Sequence, residues 1–198
     1  NLIGTDRSGL LDRGNASEGV KVDNNAVDVV LGALSAPNLI AFNGRGVGAA
    51  ANTRSEWAAN RYGRNADLAI DLNIDGVTPN DPGDGDTGPN NLQNFPVLAL
   101  AERTDEGLRV VGDLDSGTNV TFAFYASADC HSSGHGPGEQ LLETRFTTSP
   151  SSFDFDLTTD VDLSVFDTIT ATASLDGTSE MSACIAVTDP PPGIAVDT

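Results

Sequence analysis

The sequence predicts an all-β chain in two parts, a short β-solenoid followed by a β-sandwich. Three observations carry this. Up to about Leu72 the chain is short apolar triplets cut by Gly and Asn, with no helical period that lasts beyond a turn or two. From Val97 onward the pattern changes to strands that alternate apolar and polar residues. Between them lies Asp71 to Pro96, where acidic and amide side chains crowd together with Gly and Pro and almost nothing is apolar. The expected boundaries are coils over 1–72, a junction over 73–96, a sandwich over 97–188 and a Pro-rich tail over 189–198.

In the first part the pieces recur. Asn1-Leu-Ile-Gly returns as Asn38-Leu-Ile-Ala, and Gly19-Val-Lys-Val22 has counterparts at Gly46-Val47 and Leu68 to Leu72. The apolar centres Val20, Val47 and Ile70 lie 27 and 23 residues apart, a spacing in the range of solenoid repeats. Equivalent corners of stacked coils lie over one another, so Asn at a turn can form an amide ladder while Val, Leu and Ile fill the interior. Asn15, Asn38, Asn43, Asn60 and Asn65 take that role.

In the junction, Asp71, Asn73, Asp75, Asp81, Asp84 and Asp86 stand within sixteen positions with no Lys or Arg among them. Carboxylates at that density repel unless a cation sits between them, and Ca²⁺ prefers hard oxygen ligands. These six residues form the candidate calcium set, with a solvated cluster of Asx, Gly and Pro turns as the alternative. The opening Asp71-x-Asn73-x-Asp75-Gly76 copies the start of an EF-hand loop, but its twelfth position is Pro82 where a bidentate Glu is required.

The second part contains seven short runs from VLALAER to EMSACIAV, separated by Gly, Asp and Ser turns, which read as a sandwich. Val120, Phe122 and Phe124 alternate with Thr121 and Ala123, which puts one face inward. Beyond the last run, three prolines form a stiff spacer before Gly193-Ile194-Ala195-Val196, a segment that matches the coil strand Gly19-Val-Lys-Val22.

Composition narrows the function. With 29 acids against 10 bases the net charge is −19, which argues against nucleic acid or an anionic membrane surface as partner. The charge is uneven, with 12 acids and 7 bases through residue 100 and 17 acids and 3 bases after it. No apolar run approaches the length of a membrane span. The only Met is Met181, so Asn1 reads as a processed or truncated end. Two cysteines fit one bridge in a secreted domain. Asn15-Ala-Ser17 and Asn119-Val-Thr121 fit the N-glycosylation sequon.

The segments NLIGTD, GVKV, NLIAFN and above all LAIDLNIDGVTPNDPGDGDTGPNNLQNFPVL resemble the repeats and terminating segment of bacterial right-handed parallel β-helix repeat proteins, secreted or cell-surface chains often found in large adhesins. The run TFAFYASADCHSSGHGPGEQLLETRFTT, with ITATASLDGTSEMSACIAV, is similar to the terminal domain of that family. The resemblance implies a right-handed parallel β-helix followed by an immunoglobulin-like sandwich. It also implies a disulfide between Cys130 and Cys184, closing a long loop and adding about 3–4 kcal/mol on the chain-entropy estimate. A zinc site of Cys130, His131, His135 and Cys184 is the competing use of these residues, and an oxidised pair cannot supply its thiolates.

These features together predict a non-catalytic extracellular or cell-surface structural or adhesive protein, with a surface polysaccharide as a possible partner. Its assembly residues are Asn1, Leu2 and Ile3 at an open first coil and Gly193, Ile194, Ala195 and Val196 in the tail. The tail of one copy is expected to add a strand to the first coil of the next, giving a head-to-tail homopolymer. The alternative is a polysaccharide lyase or hydrolase. A lyase would draw its base and cations from Lys21, Arg45, Arg54, Arg61 and Arg64, and a hydrolase would pair carboxylates such as Asp67 and Asp71. Trp57 and Tyr62 are the aromatics that could stack on a sugar.

Overall fold

Short parallel strands stack in three columns over the first 72 residues of the computed structural model, which describes residues 1–191. The first column joins β1 (Leu2–Ile3), β4 (Leu39–Ala41) and β7 (Arg61–Gly63). The second joins β2 (Glu18–Val22), β5 (Arg45–Ala49) and β8 (Ile70–Leu72), and the third pairs β3 (Val27–Val30) with β6 (Arg54–Glu56). Every pairing in these columns is parallel, with Leu2 on Leu39, Val20 on Val47 and Val47 on Ile70. The chain therefore passes through all three columns and returns one level further on.

Two rows of amides fix the register between levels. Asn1 Nδ2 donates to Asn38 Oδ1 at 2.7 Å, and Asn38 Nδ2 donates to Asn60 Oδ1 at 2.8 Å. Asn15 and Asn43 likewise donate through both backbone and side-chain nitrogens to Asn43 Oδ1 and Asn65 Oδ1. The level-to-level step is not constant: 37 and 28 residues between the first two levels, but 22 in both rows between the next two. The surplus lies in the turn closed by the Thr5–Asp12 bridge and in the loop after β3, both outside the columns. Inside, Ile40, Val47, Ile70, Leu72, Trp57 and Tyr62 are almost wholly buried.

The second part forms two antiparallel sheets. One has the order β13-β10-β9, from β9 (Val97–Thr104), β10 (Gly107–Asp113) and β13 (Phe153–Thr158). The other has the order β12-β11-β14-β15, from β11 (Val120–Ser127), β12 (Gln140–Thr147), β14 (Thr168–Ser174) and β15 (Ile185–Ala186). A shared core fills the space between them, built on Leu108, Val110, Phe122, Phe124, Phe153 and Ile169. Four of its Phe rings, 122, 124, 153 and 155, lie 4.6 to 6.1 Å from one another, the spacing of favourable aromatic pairs.

The alternation in β11 suggests one buried and one open face, and the structure differs. Tyr125 is wholly buried as well as Phe124, and in β14 Thr170 and Thr172 are as buried as Ile169 and Ala171. The second face of this sheet packs on the parallel columns: Ala123, Tyr125 and Met181 share one apolar cluster with Val47, Trp57, Tyr62 and Ile70. The Tyr125 hydroxyl donates to the carbonyl of Ala58 across that contact.

The EMSACIAV run also departs from the expected strand, which shrinks to Ile185–Ala186. The hydroxyls of Ser179 and Ser182 accept the N–H groups of Ala173 and Ala171, in places where strand carbonyls would otherwise stand. That frees Glu180 and Met181 to leave the sheet plane and reach the columns.

Candidate functional site

The two ends of the columns are treated differently. At the end toward the antiparallel sheets each column meets a dedicated partner. Tyr62 N–H in β7 donates to the carbonyl of Gly138 at 2.8 Å. On β6, the Asn90 side chain accepts from Ser55 N–H at 2.9 Å and donates to Ser55 O at 3.1 Å, doing the work of a further strand. Asn90 adopts φ 50° in a 3₁₀ turn over Pro89–Leu92, which delivers the amide to that edge. On β8, Leu72 N–H donates to Glu180 Oε1 at 2.8 Å, while Thr78 N–H reaches Oε2 at 2.9 Å. Glu180 is only 2% exposed. Burial pushes its carboxyl up to about 8, opposed by the two N–H donors and reinforced by the charges of Asp71 and Asp75.

At the opposite end, among the described residues, strands β1, β2 and β3 have partners on one side only. Leu2, Val27 and Val30 stand exposed there or at its rim, as do Leu10, Leu11 and Leu34 in the adjoining loops. Among the described residues, Oδ1 of Asn1 and of Asn15 accepts no hydrogen bond. Of the assembly residues expected from sequence, Asn1, Leu2 and Ile3 lie at this edge, whereas Gly193, Ile194, Ala195 and Val196 lie outside the described residues.

The acidic junction divides into two environments. Asp71 is fully buried and used structurally: its Oδ2 is 2.5 Å from Arg45 Nε, and its Oδ1 accepts the N–H groups of Asp75 and Gly76. Burial pushes its carboxyl up, against the downward pull of Gly76 N–H and Arg45. Asn73 and Asp75 follow on the turn, and Asp75 is not in the one group of converging carboxylates found among the described residues. Asp81, Asp84 and Asp86, by contrast, each place a carboxylate oxygen within 4.8 Å of the others.

This trio is held by its surroundings. Asp84 accepts Asn94 N–H at 2.8 Å, Gln93 Nε2 at 2.7 Å and Ser116 Oγ at 2.5 Å, while Asp81 accepts Gly85 N–H at 3.2 Å. Asn94 Nδ2 in turn donates to the carbonyls of Asp81 and Asp115, tying the loop to the chain after β10. Asp86 Oδ1 is buried without a partner. Its carboxyl is pushed up by burial first and then by the charges of Asp81 and Asp84. An all-oxygen, all-anionic cluster with an unsatisfied buried oxygen fits a hard divalent cation such as Ca²⁺.

The remaining candidates separate. Cys130 and Cys184 form a disulfide with Cα atoms 6.1 Å apart, and there is no free cysteine, so a thiolate zinc site is ruled out. His135 Nδ1 lies 2.9 Å from the Met181 carbonyl, with its ring edge-on to Phe95, and His131 bonds Ser133. Asp67 and Asp71, the notional hydrolase pair, both bind Arg45, which also meets Glu18 at 3.6 Å. Lys21 pairs with Asp23, and Arg54 donates to Asn91. Trp57 and Tyr62 are fully buried, so neither is a sugar platform. Elsewhere Glu56 has its carboxyl pushed up by burial, lowered by Ser174 and raised again by Asp176, in an open hollow it shares with Asp28 and Arg54.

Glu180 and Asn90 escape sequence reasoning because each is one polar residue in a run explained by other means. No protein-family model matches the chain, and no curated protein matches it.

Proposed function

We propose that the chain is a non-catalytic extracellular or cell-surface structural or adhesive protein. In this reading the columns are coils of a right-handed parallel β-helix, the two antiparallel sheets are an immunoglobulin-like domain that closes it, and the copies join head to tail. The observation that supports the proposal is the contrast between the ends: one is plugged by Gly138, Asn90 and Glu180, while the other leaves three strand edges and two amide acceptors without partners among the described residues. Open edges of this kind add strands. The segment that would arrive is Gly193 to Val196 of the next copy, which lies outside the described residues. The disulfide suits an oxidising compartment.

Calcium is the proposed structural ion, held by Asp81, Asp84 and Asp86 where the coils meet the sheets. These residues bind it and the Asn94 and Gln93 amides orient them. The ion would offset most of the repulsion among three carboxylates. Light scattering and electron microscopy test the assembly. The full chain should form linear polymers with added Ca²⁺, and deletion of residues 193–198 should leave folded monomers. A full-length chain that stays monomeric at high concentration, or a deleted one that still polymerises, rejects the model.

The second reading, a polysaccharide-active enzyme, draws on the Glu56 hollow, where a carboxyl with a raised pKa sits near Asp28 and Asp176. Hydrolysis of a polysaccharide that disappears in Glu56→Gln would favour it.

A further inference from the structure

We infer that the cleft between the first column and the antiparallel sheets binds a uronate residue of an acidic polysaccharide. This deepens the adhesive reading above and rests on it. The cleft is a hollow of about 210 Å³ whose walls include Leu10, Phe42, Phe166, Arg61, Arg64 and Glu139. Its geometry comes from the repeat. Phe42 and Arg64 each precede a ladder amide, Asn43 and Asn65, on successive levels, and both take left-handed backbone at φ 61° and 55°. Such a conformation is rare for a bulky residue. Here it turns both side chains outward, one above the other, with the Arg64 guanidinium 5.4 Å from the Phe42 ring centroid.

The charge is the second observation. In a chain of net charge −19, neither Arg61 nor Arg64 forms a salt bridge among the described residues, although both line this one hollow. Arg61 Nε donates to the Glu139 carbonyl at 2.9 Å, which fixes the side chain while leaving its terminal nitrogens uncommitted. A planar guanidinium pairs bidentately with an oxyanion such as a carboxylate. The rest of the lining asks for more than an anion. Phe42, Phe166 and Leu10 offer an apolar wall of the sort that the C–H face of a sugar covers. Glu139 and Gln140 offer acceptors for hydroxyls, and Glu139 is steadied by Ala128 N–H at 3.3 Å. A ligand with a carboxylate, several hydroxyls and one apolar face is a uronic acid, and the open mouth lets its neighbours in the chain continue outward.

Calorimetric titration of the full chain with a trimer of α-1,4-linked galacturonate tests this, alongside a neutral galactose trimer and a sulfated trimer. The galacturonate trimer should bind and the neutral one should not. Arg64→Gln should weaken binding about tenfold or more, the loss expected for one charge-assisted pair. Arg64→Lys should fall between, and Lys21→Gln, remote on β2, should bind as the parent does. No binding of the galacturonate trimer, equal binding by Arg64→Gln, equal loss in Lys21→Gln, or preference for the neutral or sulfated trimer would each overturn the assignment. Light scattering on the same samples keeps the assembly question separate, because Arg64→Gln should polymerise unchanged.

Discussion

Replacing Glu180 by Gln removes a buried ionisable group while keeping a carbonyl oxygen for Leu72 N–H. The carboxyl has an ordinary value of 4.5 and is pushed up to about 8 in the folded chain. The folded protein therefore still holds this proton at pH values where the unfolded chain has released it. Stability due to this group is greatest below 4.5, falls as pH rises through the window to about 8, and is flat above it. Each pH unit in that window is worth about 1.4 kcal/mol, so the whole span amounts to at most about 5 kcal/mol. Asp71 and Asp75 face the same carboxyl, and their charges add to the rise. Urea unfolding, followed by the fluorescence of the single, buried Trp57, measures the effect at intervals from pH 4.5 to 9. The parent should lose stability relative to Glu180→Gln through the window, and the curves should run parallel beyond it. At low pH the variant should be weaker by about 1 kcal/mol, because its amide group confronts Thr78 N–H. Parallel curves across the whole range would refute the assignment of a raised carboxyl to this cap.

Asn43→Ala should cost about 2–4 kcal/mol in urea unfolding, since its side chain accepts from Asn15 and donates to Ala41 O in a buried row; Asn15→Ala, at the exposed end of the same row, should cost clearly less. Asp86→Asn should raise the melting temperature in chelator, because it removes a carboxylate crowded by Asp81 and Asp84, and should abolish the rise that Ca²⁺ produces in the parent. Joint replacement of Cys130 and Cys184 by Ser should lower stability by about 4 kcal/mol, the chain-entropy value for a separation of 54 residues. Gly14→Ala should prevent the first level from closing, since an added Cβ would lie 1.6 Å from the Phe42 carbonyl oxygen, and trypsin should then cut before β4.

The amide rows were legible because Asn recurs at corners of a repeating unit, and stacking lets one side chain serve a level above and a level below. The all-β character was legible for a similar reason, since neither the apolar triplets nor the alternation beyond Val97 keeps a helical period. What sequence could not show is the second face of β11 and β14. Thr and Ala read as solvent-facing, yet Thr170, Thr172 and Ala123 are small enough to let another unit pack on them. Charge counting also treated six junction residues as equivalent. Asp71 differs from Asp84 because the columns bury it and bring Arg45 beside it, and Arg45 is 26 residues earlier in sequence. Glu180 was hidden inside an apparent strand, and only the substitution of Ser179 and Ser182 hydroxyls for ladder groups lets it turn away.

The amide rows also have a sense of direction. Within each row an Oδ1 accepts from the level before it, so among the described residues Oδ1 of Asn1 and of Asn15 is left without a donor. Two such edges brought face to face would set these open acceptors against one another at both corners. A symmetric pair built on this edge is thus disfavoured at two points, whatever its apolar fit. An unlike surface that arrives with N–H groups would match these oxygens better, and a contact between unlike surfaces does not close on itself after two copies.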